Sequence, residues 1–176
     1  MEIKFKPIGV VHSPFKRKED IQSSRSTDTQ GFDSVQGELE ISKEYEDGLK
    51  DIEGFSHLIV IFNFHKSEGY KLYTKPLLDE TLRGVFSTRT SNRPNFIGLT
   101  VVKVIDRKEN ILKVSGIDMF EGTPILDIKP YTPRDQKSPI KLGWLEDKIK
   151  QAPNPNDRNK NSLFRLFRLY GLSKFI

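Results

Sequence analysis

The sequence predicts a mainly β protein, a compact single-sheet barrel-like domain with short helices at its C-terminus. Three observations carry that prediction. Apolar residues recur at the two-residue period of strands in short runs rich in β-branched and aromatic residues, bounded by Gly, Pro, Asn or Asp. Few helical windows separate those runs, which argues against a doubly wound parallel sheet. None of the 12 glycines forms a G-x-G pair or a G-x-x-x-x-G-K loop, so a nucleotide-like ligand has to be held in some other way.

The elements follow in order. "KFKPIGVVH" (4–12) reads as a strand that runs into a His-Ser-Pro turn and a long polar loop reaching Gly31. Loops of that length in a compact domain are disordered or act as lids, and Arg25, Gln30 and the Lys16–Lys18 cluster stand where they can reach over a site. "GELEI" (37–41) is a second strand, and "YEDGLKDIEGF" (45–55) holds one short helical turn ending at Gly54. "HLIVIFNFH" (57–65), "RGVFST" (83–88), "GLTVVKVI" (98–105), "NILKVSGI" (110–117) and "PILDIKPY" (124–131) complete the strands. The third and fourth of these read as a hairpin turning through "DRKEN". "LGWLEDKIK" is helical, as is "NSLFRLFRLYG" (161–171), with Leu163, Leu166, Phe167 and Tyr170 on one face; "QAPNPNDRNKN" links them. The division expected is a barrel domain over 1–147, then a linker and basic helix over 148–176 packed on the barrel or on a second copy.

With 35% hydrophobic and 30% charged residues, the 176-residue chain falls outside the disordered and membrane classes. No apolar run reaches the roughly 18 residues of a membrane span, and "MEIKFKPIGVVHSPF" lacks the apolar core of a signal peptide. Zero Cys excludes disulfides and thiolate chemistry. The simplest location is cytoplasmic. Net charge is +5 and uneven: residues 1–133 hold 19 Lys/Arg against 20 Asp/Glu, residues 134–176 hold 10 against 4. A basic tail steers polyanions, and equally serves as a plain solvated surface.

Chemistry concentrates in three stretches. "STRTSNRPN" sets Arg89 and Arg93 in a turn that needs neither, and Pro94 stiffens it by pushing Arg93 towards an extended conformation. Planar guanidinium groups on a stiff loop suit a small carboxylate or phosphate, or pair with surface acids. "GIDMFEGTPILDIKPY" brings Asp118, Glu121 and Asp127 within ten residues around a Gly-Thr-Pro turn. Carboxylates there can accept ribose hydroxyls or cap turns; Asp127 and Lys129, two apart on a strand, share a face. In "HLIVIFNFH", alternation puts His57 and His65 on one side, too far apart along a strand to share a metal. No metal site is expected.

Taken together, "PIGVVHSPFK", "EGFSHLIVIFNFH", "RGVFSTRTSNRPNFIGLTVV" and "GIDMFEGTPILDIKPY" resemble, in order and spacing, the TrmO (TsaA-like) proteins, from about residue 4 to about residue 147. The resemblance implies a compact β-barrel that binds S-adenosylmethionine without a Rossmann sheet. It implies methylation of N6 of the threonylcarbamoyl-adenosine beside the tRNA anticodon, by a homodimer. Carried over by motif, the cofactor contacts are Gln30, Phe64, His65, Arg89, Leu99, Glu121, Gly122, Thr123 and Pro124. Asp127, Asn95 and Tyr131 match positions lining or supporting the reaction centre, and Arg93, Lys129 and Asp118 match substrate positions. The chain departs from the family pattern at Phe96, where Pro is usual after "RPN", and at Thr29-Gln30, where Arg-Gln is usual. Longer members carry a further C-terminal domain in place of the basic helix. Two other readings stay open: a non-catalytic S-adenosylmethionine-binding protein, and a methyltransferase for a substrate other than tRNA.

Overall fold

Alternation along each strand decides which side chains fill the interior. The computed structural model describes residues 2–21, 31–76 and 79–150. β1 (Gly9–His12), β2 (Gln36–Ile41), β3 (His57–Asn63), β6 (Ile97–Lys108), β7 (Ile111–Ser115) and β8 (Thr123–Pro130) close into a barrel in the order β1-β2-β7-β6-β3-β8. Every neighbouring pair is antiparallel, and β8 closes on β1 through Val11↔Thr123 and Gly9↔Ile125. β4 (Tyr73–Thr74) and β5 (Arg83–Gly84) form a separate two-stranded sheet. A short helix, α1, spans Leu145–Lys150.

β3 shows the period: Leu58, Val60 and Phe62 are buried, and the residues between them are half-buried on the outer wall. With Val11, Leu39, Val102, Leu112, Val114 and Ile125 they make one contiguous core. Gly98 faces Phe62 across the β3–β6 ladder, and a Cβ there would stand 2.3 Å from the ring. Only glycine lets the phenyl ring lie against that backbone.

Several elements differ from the sequence expectation, each for a local reason. The strand expected over 4–12 is confined to Gly9–His12; Pro7, with no N–H, cannot join a ladder beyond its end. The run 83–88 pairs only at Arg83–Gly84 and then turns as a 3-10 helix over Val85–Ser87. The hydroxyls of Ser87 and Thr88 donate back to the carbonyls of Gly84 and Val85, at 2.8 and 2.9 Å, the local competition by which Ser and Thr draw a backbone out of a sheet. The helical turn expected over 45–55 is two 3-10 segments, Lys43–Leu49 and Ile52–Gly54, with Asp51 at a φ of 65° between them. The helix expected over 161–171, its linker, and the loop residues Arg25 and Gln30 lie outside the described residues.

The β6–β7 hairpin is tighter than "DRKEN" predicts. Pairing continues to Lys108↔Ile111, leaving only Glu109 and Asn110 to turn, with Glu109 at a φ of 53°. Asn110 is buried, and its side-chain amide donates to the Ile41 carbonyl at 2.6 Å while its own carbonyl accepts the Ile41 N–H at 2.9 Å. One side chain therefore seals the hairpin against the end of β2. Replacing Asn110 by Ala should lower stability by about 1–3 kcal/mol, the cost of leaving a buried carbonyl without its partner. Urea unfolding checks this; an unchanged midpoint would show that water replaces the amide at no cost.

Candidate functional site

Four segments far apart in sequence meet where β3 ends and β8 begins. The Phe64 N–H donates to the Phe96 carbonyl at 2.7 Å, joining the end of β3 to the "RPNF" turn. Lys66 lies 4.6 Å from the centroid of the Phe120 ring and donates to the Lys16 carbonyl at 2.7 Å. The Glu121 N–H donates to Phe15 and the Gly122 N–H to Val11, at 2.8 and 2.9 Å. Phe64–His65, Arg93–Phe96, Glu121–Pro124 and the His12–Lys16 turn thus form one neighbourhood. The structure brings together the predicted residues Phe64, His65, Glu121, Gly122, Thr123 and Pro124. Gly122, at a φ of 76°, has open space where a Cβ would sit, so its backbone is accessible to a ligand.

The two arginines of "STRTSNRPN" have different tasks. Arg93 is half-buried, and one of its terminal nitrogens donates to the Thr88 and Thr90 carbonyls at 2.9 and 3.4 Å. It holds the loop in shape. Arg89 is exposed, and one terminal nitrogen donates to the Leu99 carbonyl on β6 at 3.0 Å. A guanidinium group has five N–H donors, so this anchor fixes Arg89 with donors to spare. Leu99 is itself 49% exposed beside it. Phe96 has a φ of 52°; a proline there, locked at about −65°, cannot take that conformation. The departure from the family pattern thus accompanies a different local backbone, and Phe96 keeps an N–H that bonds the Arg93 carbonyl at 3.1 Å.

Not every predicted residue joins this neighbourhood. Registers Leu99↔Ile61 and Ile61↔Asp127 place Leu99, Ile61 and Asp127 in one row on the outer wall, with Val101, Ile59 and Lys129 in the next. Asp127 is paired with Lys129 and accepts the Ile128 N–H at 2.9 Å. Both its oxygens are engaged. Tyr131 is separated: its N–H bonds the His57 carbonyl and its ring meets the His57 ring at 6.4 Å. His57 begins β3, six residues before Asn63 and about 20 Å away at strand rise. Within one chain, therefore, Tyr131 does not stand beside Phe64 and His65. His65 lies in the turn after β3, where its N–H bonds the Asn63 carbonyl at 2.8 Å, so strand alternation does not relate it to His57. Asn95 is exposed in the "RPNF" turn and Asp118 in the β7–β8 connection. Among the described residues no group of three or more His, Asp or Glu gathers as a metal site.

Sequence reasoning missed His12. Its Nε2 lies 2.7 Å from Glu40 and its Nδ1 3.1 Å from Glu121, whose other oxygen accepts the Ser13 N–H at 2.6 Å. The signal available was a histidine closing a strand before Ser-Pro; its acidic partners are distant in sequence. Glu40 first and Glu121 second raise His12 above the ordinary 6.5. The Ser13 N–H, then His12, hold Glu121 below the ordinary 4.5. Glu38 pairs opposite His12 in the β1–β2 ladder, and Lys16 also acts on Glu121. His65 is pushed below 6.5 by desolvation of its ring and then by Lys66. Because His12 holds its proton more tightly folded than unfolded, the stability it contributes is complete below about pH 6.5 and is lost as pH rises through its folded value. The Tm deficit of His12→Gln should therefore be largest near about pH 6 and shrink towards about pH 9. A deficit that stays flat across thermal scans in that range would sink this account.

Comparison with known proteins places this arrangement. The tRNA-methyltransferase O N-terminal domain matches residues 10–136. A probable S-adenosyl-L-methionine-binding protein of Pyrococcus abyssi is 42% identical over 156 residues, covering 87% of this chain and 82% of the relative. The tRNA (adenine(37)-N6)-methyltransferase of Escherichia coli is 36% identical over 145 residues, covering 77% of this chain and 60% of that enzyme. The crystal structure of TrmO from Pseudomonas aeruginosa superposes with a TM-score of 0.66 at 31% identity, over 82% of this chain and 63% of that one. This chain therefore spans most of the archaeal relative but less than two thirds of the two bacterial proteins. On the match over most of its barrel and on these relatives, the chain belongs to the tRNA-methyltransferase O N-terminal domain family.

Proposed function

We propose that the protein is an S-adenosylmethionine-dependent methyltransferase acting on N6 of adenosine 37, in its threonylcarbamoylated form, in the tRNA anticodon loop. The observation that carries the cofactor assignment is Arg89: an exposed guanidinium, anchored on the Leu99 carbonyl at 3.0 Å, beside a half-exposed Leu99 side chain. That arrangement fits a carboxylate next to an apolar or aromatic group. The reaction assignment draws on the bacterial and animal relatives, named tRNA (adenine(37)-N6)-methyltransferases.

When bound, S-adenosylmethionine supplies an electrophilic methyl group. The chain's own residues bind and orient. Arg89 takes the carboxylate of the methionyl end, Leu99 and Phe64 offer apolar surface, and the open Gly122 turn and Glu121 receive the polar ribose edge. Transfer asks mainly for an in-line approach of the adenine nitrogen, which Arg93, by keeping the "RPN" loop in shape, helps to define. The acceptor nitrogen must also shed a proton. Asp127 has one partner on each oxygen, Lys129 and the Ile128 N–H, and keeps acceptor sites for that proton. The distance of Tyr131 from Phe64 and His65 favours, as a second reading, a protein that binds the cofactor without methylating.

The proposal includes a homodimer. Ile97, Leu99 and Val101 project from β6 onto the outer wall, and Phe86 nearby in sequence is 75% exposed. A row of that kind marks a protein interface more often than bare solvent. A tRNA-modifying role places the protein in the cytoplasm. No helix among the described residues is long and apolar enough to cross a membrane.

Calorimetric titration with S-adenosylmethionine, followed by transfer to tRNA carrying threonylcarbamoyl-adenosine, tests the reading. Binding with transfer is expected; binding without transfer moves the conclusion to the second reading, and no binding overturns both. Arg89→Ala should weaken cofactor binding by about 1.5–3 kcal/mol, the value of a charge-assisted hydrogen bond. Unchanged affinity in a folded variant removes Arg89 from the site. For the dimer, Val101→Glu should yield a folded monomer by sedimentation, since its side chain points away from the core; a wild-type monomer, or a variant that still dimerises, rules that face out.

A further inference from the structure

Asp79 has a side chain only 3% exposed, and nothing proposed above for the cofactor or the substrate uses it. One oxygen accepts Arg83 twice, from Nε at 3.0 Å and Nη2 at 2.6 Å. The other accepts Lys148 at 3.0 Å and the Thr81 N–H at 3.2 Å. A carboxylate has about four acceptor sites, and all are filled. Lys148 comes from α1, whereas Arg83 opens β5 and Thr81 lies two residues before it. The side of Arg83 away from Asp79 meets Trp144, its guanidinium carbon 5.3 Å from the ring centroid. Trp144 in turn donates its indole N–H to the Ser87 carbonyl at 2.9 Å.

α1 and the residue before it are thus fastened at two points, Lys148 and Trp144, to the segment leading to Arg89. Ser87 is two residues before Arg89, and the Thr88 carbonyl between them accepts Arg93 at 2.9 Å. Arg89 meets the barrel at the Leu99 carbonyl; the segment leading to it is tied to Trp144 and the Asp79 cluster. We propose that α1 is a strap that positions Arg89: Trp144, Lys148 and Asp79 act through the 83–88 segment to set cofactor affinity, without touching the cofactor. The proposal rests on the reading that Arg89 binds the cofactor carboxylate. Burial of Asp79 supports it, because removing one cation leaves its carboxylate short of a partner in a place water reaches poorly. So does direction: the Arg83 guanidinium, with Lys148 and Thr81, holds the Asp79 carboxyl well below the ordinary carboxylate range, keeping it charged for both cations. By linkage, whatever tightens the strap tightens binding, and the bound cofactor tightens the strap equally.

Trp144 is the chain's single tryptophan, so its emission reports the strap directly. Lys148→Ala and Trp144→Phe alter a peripheral helix and leave the barrel core intact. Each is compared with Arg89→Ala by calorimetric titration with S-adenosylmethionine and by thermal unfolding. Lys148→Ala should red-shift the Trp144 emission and lower Tm, because Asp79 loses a partner, and both strap variants should raise Kd about 5- to 10-fold when titrated well below the unfolding transition. Lys148→Arg, which keeps the charge, should restore most of the affinity. If Arg89→Ala weakens binding while both strap variants bind like the wild type, the strap has no positioning role and the proposal falls, with the cofactor reading intact. If Arg89→Ala also binds normally, the cofactor reading itself fails and the strap proposal goes with it. An unshifted emission in Lys148→Ala would show that the ion pair does not hold the helix, which overturns the proposal as well.

Discussion

Everything at the site depends on closure of the barrel by β8 on β1. The ladder Val11↔Thr123, Val10↔Pro124 and Gly9↔Ile125 joins residues more than a hundred positions apart. It leaves the two turns that follow and precede these strands side by side, so that Glu121 meets Phe15 through its N–H and Ser13 through its carboxylate. An open sheet would keep the interior alternation of β3 yet part these turns, and the exposed edges of β1 and β8 would invite pairing with other chains. Closure therefore does two things with one set of bonds: it removes the sheet edges and it builds one half of the candidate site.

The other half comes from β3 and β6, and here the bonds are of a different kind. Backbone pairing brings Phe64 to Phe96, but in the arginine loop beyond β5 a few backbone turns are joined by side chains donating to carbonyls: Ser87 to Gly84, Thr88 to Val85, Arg93 to Thr88, Arg89 to Leu99 and Trp144 to Ser87. Each such bond is modest in net worth. Their number on one short segment is what gives it a defined shape without strand or helix, and a loop fixed by many weak ties can adjust as a ligand arrives.

Much of this was legible in the sequence where a residue's own neighbours decide its fate. The alternation of "HLIVIFNFH" and the turn chemistry around it gave β3 within a few residues. The β6–β7 hairpin was readable, although its turn was not, because the positive φ of Glu109 has no mark in the residue type. What stayed hidden depends on distance. Nothing near His12 announces Glu40 and Glu121 as its partners, and Asp79 in "LLDETLRG" looks like a surface acid until α1 folds back to give it Lys148. Arg93 has a local use of a related kind: a cation in a polar turn invites an external anion, and in this loop one of its terminal nitrogens donates to two carbonyls of its own chain, those of Thr88 and Thr90. Asp127 and Lys129 were correctly placed on one face, and that same proximity is what engages them with each other.

Among the described residues no helical segment is long enough to do what helices do in nucleotide-binding sheets. A long helix offers an anion its unpaired N-terminal N–H groups and the sum of its peptide dipoles. Among the described residues, α1 spans six residues, residues 18–21 form one turn of α-helix, and the other helical segments are 3-10 turns of three to seven. A barrel of this kind must meet a negative charge with a side chain instead, and a flexible side chain binds well only if something else spends the entropy of placing it. The anchor of Arg89 on a strand carbonyl does part of that work, since β6 is fixed by ladders on both sides. The rest falls to whatever steadies the loop from outside. A single-sheet barrel that dispenses with a Gly-rich turn thereby comes to depend on tertiary ties to its periphery, and the C-terminal helix is where this chain supplies them.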